Sequence, residues 1–218
     1  MTTFPGSPRL QSGGFVLIHP HSGAVQSQIA LQYNPATLSR SLQVQGVGNE
    51  TGDRSEALRI KGPPIETINI EAEIDAADQL ELAEQNTLEY GIQPHLSALE
   101  TLVYPPRSQL ENMNRLAQQG TLEIIAEEAP LTLFIWSKSR VVPVRLTEFS
   151  ITEEAFDPSL NPLRARVNLG MRVLTIDDLG FENRGGRVFM EYQRNKESLS
   201  ARFRKGSLSN FGINRIPG

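Results

Sequence analysis

The clearest order in this chain is an alternation of apolar and polar positions between Arg140 and Thr175. Ala165, Val167, Leu169, Met171 and Val173 alternate with Arg164, Arg166, Asn168, Gly170 and Arg172, the period of a strand with one buried face. Upstream, Val144 and Leu146 keep one alternation while Phe149 and Ile151 keep the other. A bulge around Thr147 and Glu148 is therefore expected, because it holds both pairs on one face. Between the halves lies Asp157-Pro158-Ser159-Leu160-Asn161-Pro162, whose prolines and Asx residues favour turns and end a ladder. The whole stretch predicts a long β-hairpin.

Shorter runs predict further strands of an antiparallel sheet: Phe15 to Ile18, Gln28 to Tyr33, Ser41 to Gln45, and Ile65 to Ile74, each bounded by turn residues. In the last of these Ile68, Ile70, Ala72 and Ile74 share a face. At Asp75 the period lengthens to that of a helix: Ala76, Ala77, Leu80 and Ala83 form a narrow apolar stripe ending near Gly91, with Asp75 placed to cap the amide of Asp78. Ile92, Leu96, Leu99 and Val103 predict a second helix stopped by Pro105-Pro106, and Ser108 to Glu111 reads as a capping box opening a third that ends at Gly120. Thr121 to Ala126 and Leu131 to Trp136 predict two more strands, with Trp136 able to take either sheet face. Strands, a helical insert and strands again predict an α+β fold, mainly β: a barrel or sandwich with helices on one side.

Composition adds boundaries. The 218 residues suit one globular domain, expected over residues 14–180, with a Pro-, Gly- and Ser-rich arm over 1–13 and a basic arm over 181–218. The chain has no cysteine, which excludes disulfides and thiolate metal sites; with no basic-plus-apolar leader, cytoplasmic folding is expected, with release by lysis open. No apolar run approaches the ~20 residues that cross a bilayer as a helix. The formal net charge of -4 hides an asymmetry: from Phe181 onward eight basic residues stand against three acidic ones, an excess of +5 that leaves -9 for residues 1–180.

Candidate chemistry is thin. His19 and His21 flank Pro20, but no third ligand adjoins them, and zinc needs three or four. Asp75, Asp78, Glu81 and Glu84 have the spacing of a solvated helix face. Glu153 and Glu154, with Asp157 nearby, are the best carboxylate pair for glycoside hydrolysis, but neighbours on a strand point to opposite faces. Walker, GxGxxG, GxSxG and HExxH motifs are absent. Neither a cofactor nor a metal is expected. In the C-terminal arm Phe189, Tyr192, Leu199 and Phe203 fall on one helical stripe from about Val188 to Phe203, with basic residues on the other faces. A stripe of that kind fits docking on an acidic protein surface better than binding of nucleic-acid or lipid phosphates.

Three segments together carry a resemblance: Leu31-Gln32-Tyr33-Asn34-Pro35-Ala36-Thr37-Leu38-Ser39-Arg40, then Pro64 to Ile68 running into Glu71 to Leu80, then the long hairpin ending Leu174-Thr175. Over residues 10 to 180 the chain resembles the baseplate tube-initiator proteins of contractile injection systems, the inner-tube adaptors of phage-tail-like particles. The resemblance implies a tail-tube-like β-barrel of two packed antiparallel sheets with a flanking helix, assembled as a homohexameric ring. Such a ring joins the spike to the adjacent inner-tube ring and baseplate proteins, adapts one symmetry to the other and seeds tube assembly. Neither nucleic acid nor direct membrane insertion is implied. Family members often carry a C-terminal LysM-like module, for which the 38 residues after Gly180 are too few and too basic. The alternatives are a main inner-tube subunit, a baseplate peptidoglycan-binding module and, remotely, the Glu153/Glu154 hydrolase. Inter-subunit contacts are expected from Asn49, Asp53, Arg54 and Arg59 in the loop from Gly46 to Pro64, and from Phe189, Tyr192, Arg194, Leu199, Phe203 and Arg204 in the arm. Deleting residues 181–218 is expected to weaken assembly and leave the barrel folded.

Overall fold

The computed structural model describes residues 11–46, 59–119, 128–203 and 206–216. Among the described residues, seven strands form one antiparallel sheet: β1 (Gly14–Ile18), β2 (Val25–Ala30), β3 (Leu38–Gln43), β4 (Ile65–Asp75), β5 (Leu131–Ser137), β6 (Arg140–Phe156) and β7 (Pro162–Val173), in the spatial order β2-β1-β5-β6-β7-β4-β3. Between β4 and β5 come four helices, α1 (Ala77–Glu81), α2 (Gln85–Tyr90), α3 (Gln93–Glu100) and α4 (Arg107–Gln118); α5 (Ile176–Leu179) and α6 (Arg184–Ala201) follow β7. The fold is α+β and mainly β.

The β6–β7 hairpin organises the rest. Its register runs from Val144 opposite Val173 to Phe156 opposite Pro162 and slips between Leu146 and Glu148, so the bulge sits where the alternation required it. Val144, Val167, Leu169, Met171 and Val173 are buried in the main core, and Leu146, Phe149 and Ile151 rest against it. Gly170 lies opposite Glu148 at the bulge, where a Cβ would stand 2.9 Å from the Cβ of Glu148. At the tip, the Asp157 carboxylate accepts hydrogen bonds from the amides of Ser159 (2.7 Å) and Asn161 (2.8 Å), an Asx turn that closes the hairpin.

The sheet is not closed into a barrel of two packed sheets: β2 and β3 are its two ends. Residues of β2, β4 and α3 line a shared groove, and Ile92, Leu96 and Leu99 enter the same core as Ile29, Leu31, Ala72 and Ile74. Helix α3 thus covers the apolar face that barrel closure would otherwise bury. A smaller link spans the gap, where the Gln32 carboxamide accepts from the amide of Asp75 (3.1 Å) and donates to its carbonyl (2.7 Å), as a neighbouring strand would.

The opposite face of β1 and β5 is covered as well. Ile18, Leu131 and Leu133 form a second cluster with Val16, Leu179 and Val188, so β5 is buried on both sides, while Trp136 stacks on Phe134 at 6.0 Å in the main core. The helical insert differs from its expected form in three places, the first being that the Asp75 carboxylate accepts from the amide of Ala77 (2.8 Å) and not from that of Asp78. The first helix breaks at Ala83, whose φ is 50°, into α1 and α2. Helix α4 is preceded by Pro106 without a side-chain cap, and Glu111 bonds Arg107 (2.7 Å) rather than closing a box with Ser108. The strand expected over Thr121 to Ala126 lies outside the described residues.

Candidate functional site

The C-terminal helix is positioned from its N-terminal end. Thr175 and Asp178 form a capping box on α5, Asp178 also binds Arg172 at 2.8 Å, and Asn183 caps α6 by accepting from the amide of Gly185 at 3.0 Å. Gly185 and Gly186 then allow close approach: a Cβ on Gly185 would stand 2.4 Å from Leu179 Cδ1, and one on Gly186 would stand 1.9 Å from the carbonyl oxygen of Gly180. One turn later Phe189 and Tyr192 enter the main core.

Below them lies a buried carboxylate. Glu66 shares the inward face of β4 with Ile68 and its side chain is 3% exposed. It accepts from Arg40 Nε (2.8 Å), Tyr192 Oη (2.9 Å) and Lys196 Nζ (3.1 Å). Burial works against its charge, but the hydrogen bond and charge of Lys196, the Tyr192 hydroxyl and the Arg40 guanidinium outweigh it and hold the pKa below the ordinary 4.5. Burial and the adjacent Glu66 charge push the Tyr192 hydroxyl up to about 12. Lys196 Nζ also lies 3.9 Å from the centre of the Tyr192 ring. Three elements far apart in sequence, β3, β4 and α6, are joined at this point.

The outer face of β4, β7 and β6 carries charge in rows. Arg164 binds Asp75 (2.7 Å) across one strand pair, and Arg166 binds Glu154 across the other. The amide of Ala77 and the Arg164 guanidinium hold the Asp75 carboxyl below its usual range despite some burial. These arginines line one open pocket with Tyr33, Glu73, Asp75 and Glu154, where each is paired with an acid. Glu153 stands opposite the core residue Ala165 while Glu154 stands opposite Arg164, which places the two carboxylates on opposite faces of the sheet. They cannot share a glycoside. His19 Nδ1 accepts from the amides of His21 and Ser22, both at 3.3 Å, and His21 Nε2 lies 3.1 Å from Glu128, so these imidazoles serve a turn and a surface contact.

The two sheet ends are open among the described residues. Strand β2, VQSQIA, has neither a charged residue nor a proline, and β3, LSRSLQ, has only Arg40, which is committed to Glu66. Proline and an unpaired charge, two of the devices that keep an edge from pairing, are missing from both.

The expected contact residues separate accordingly. Asn49, Asp53, Arg54 and Arg204 lie outside the described residues, and Arg59 is exposed beside the Gly46–Ile60 bridge. Phe189 and Tyr192 are buried in this chain's own core, so their apolar surface is already used without a neighbour. Arg194 pairs with Glu191 on the surface of α6 (2.6 Å), and Leu199 and Phe203 are exposed. The stripe therefore divides: its first half docks α6 on the sheet, and its second half faces solvent. A chain ending at residue 180 is expected to lose stability cooperatively, because it strips Tyr192 and Lys196 from Glu66 and uncovers the core beneath Phe189. One ending at residue 201 is expected to unfold at the parent denaturant midpoint within error; urea titrations of the two truncations check both outcomes.

No protein-family model matches the chain, and no curated protein matches it. Solved structures with some likeness include one described as the tail of an empty GTA particle computed with helical refinement in C6 symmetry. It shows 14% identity over 74% of this chain and 90% of that one, with a TM-score of 0.28. Another is described as the virion of a native gene transfer agent particle, with 13% identity over 73% of this chain and 90% of that one and a TM-score of 0.25.

Proposed function

We propose that this chain is a structural subunit of a phage-tail-like contractile injection particle, forming a six-fold ring that joins the spike to the inner tube and seeds tube assembly. The observation that carries the reading is the pair of proline-free sheet edges at opposite ends of one sheet, β2 with no charged residue and β3 with only the Glu66-paired Arg40. A ring closes when the same two unlike surfaces meet at every junction, and two open edges supply such surfaces with backbone hydrogen bonds ready to form. The ion pairs on the outer face of β4, β7 and β6 suit a wall more than a reaction centre, and the sequence resemblance points to the same class of assembly. Within this reading α6 belongs with the ring body, and the reaching arm begins after Ala201.

Electron microscopy of the concentrated chain, alone and co-expressed with tube and spike subunits, is expected to show six-fold rings. Gln28→Lys on β2 and Ser41→Lys on β3 place charge on exposed edge positions and are expected to remove the rings while leaving the circular dichroism spectrum unchanged. A chain that stays monomeric under both conditions would overturn the reading, and sedimentation with purified peptidoglycan would favour the wall-binding alternative.

A further inference from the structure

The end of the molecule formed by the hairpin tip and the helical insert is both apolar and acidic. Leu82, Leu88, Tyr90, Phe156 and Leu160 are all exposed there. The surface is built rather than loose: Asn161 Nδ2 donates to the carbonyl of Glu89 (3.1 Å), and the amide of Ile92 donates to the carbonyl of Pro162 (2.9 Å). From Gly62 to Pro106 the sequence has nine acidic residues and neither lysine nor arginine. Of those on or beside α1 and α2, Asp78, Glu81, Glu84 and Glu89 have no cationic partner among the described residues.

The chain's other end has the opposite character. After Glu197 there are four basic residues and no acid. Phe203, Phe211 and Ile216 are exposed, and Arg202 and Arg215 have no anionic partner among the described residues. The arm springs from a helix fixed at the other end of β4. Tyr192 and Lys196 fix α6 at Glu66, near the start of β4, whereas the acidic helices begin at its far end, nine residues or ~30 Å along the strand.

We infer that the basic, aromatic segment after Ala201 of one copy lies on the acidic surface of α1, α2 and the hairpin tip of a second copy. The charge match selects the occupant, and apolar side chains on both partners supply the area. The inference rests on the self-assembly proposed above and names the surfaces that would join copies outside the sheet edges.

Because the chain has no native cysteine, disulfide trapping reads the contact directly. Full-length Leu88→Cys and Phe211→Cys variants, mixed under mild oxidation, are expected to give a mixed disulfide dimer several-fold above the Val44→Cys and Phe211→Cys pair. Salt at ~1 M, where charges are screened within ~3 Å, is expected to suppress the trapped dimer. No mixed dimer above the control would overturn the inference, as would a Leu88→Cys/Phe211→Cys double variant that closes its disulfide within one chain. Six-fold rings without the trapped dimer would leave the ring reading standing and remove the docking surface. A trapped dimer without six-fold rings would do the reverse.

Discussion

Glu66→Ala is expected to lower the unfolding free energy by about 3 kcal/mol, the low end of the cost of removing one member of a buried, hydrogen-bonded charge pair. The low end applies because Arg40 and Lys196 keep 27% and 32% of their side-chain surface in solvent and can rehydrate. Tyr192 cannot, since its hydroxyl is buried with Glu66 as its acceptor. Glu66→Gln, which keeps an acceptor for that hydroxyl, is expected to cost less. Urea denaturation measures both, and proteolysis locates the damage, which should be earliest cleavage within α6. A Glu66→Ala protein as stable as the parent would show that α6 is held by its apolar contacts alone.

The same residue sets an acid limb. Because the folded pKa of Glu66 lies below 4.5, the unfolded chain takes up the proton first. Its contribution is complete above that value and is lost as the pH falls through the folded pKa. Stability measured from pH 6 downward should therefore fall more steeply in the parent than in Glu66→Gln. At the alkaline end the sign reverses: the Tyr192 hydroxyl, raised to about 12, contributes stability that is complete below the ordinary 10.0 and disappears as the pH rises through the raised value.

How much of this was legible depends on the range of the interactions. The β6–β7 hairpin could be read residue by residue because its two strands are neighbours in sequence and one face is buried, so the period and even the slip at Thr147 are local facts. Glu66 left a signal that the strand reading passed over, a carboxylate in phase with Ile68, Ile70, Ala72 and Ile74. Its partners could not be read, since they lie 26, 126 and 130 residues away. The stripe on α6 was visible as a stripe, but periodicity does not say whether it meets the chain's own sheet or another molecule. Barrel closure fails for the same reason. Whether β2 and β3 meet is decided by α3 covering the core between β2 and β4, and α3 lies about seventy residues from β2, a contact for which no local pattern stands.

Gly91→Ala is expected to destabilise the chain by about 3–5 kcal/mol, from two costs that add because neither relieves the other. Gly91 ends α2 with φ 58° and ψ -134°, a region that glycine enters freely and that charges an L-residue on the order of 1–3 kcal/mol. Its Cβ would also stand 2.2 Å from the carbonyl oxygen of Pro162, which is backbone and cannot turn aside. Relief requires the helical insert to withdraw from the hairpin tip, breaking the bond from the Ile92 amide to Pro162 and the bond from Asn161 to the carbonyl of Glu89. Each such bond contributes about 1 kcal/mol. Because Ile92 and Leu96 sit just beyond the break and are buried against the sheet, withdrawal also loosens α3 over the groove between β2 and β4. Hydrogen exchange on Gly91→Ala should therefore show faster exchange at Ile92 and along α3, with the centre of β7 protected as in the parent. Unchanged exchange at Ile92 would mean that the hairpin tip yields instead and that the acidic surface is less firmly built than its hydrogen bonds imply.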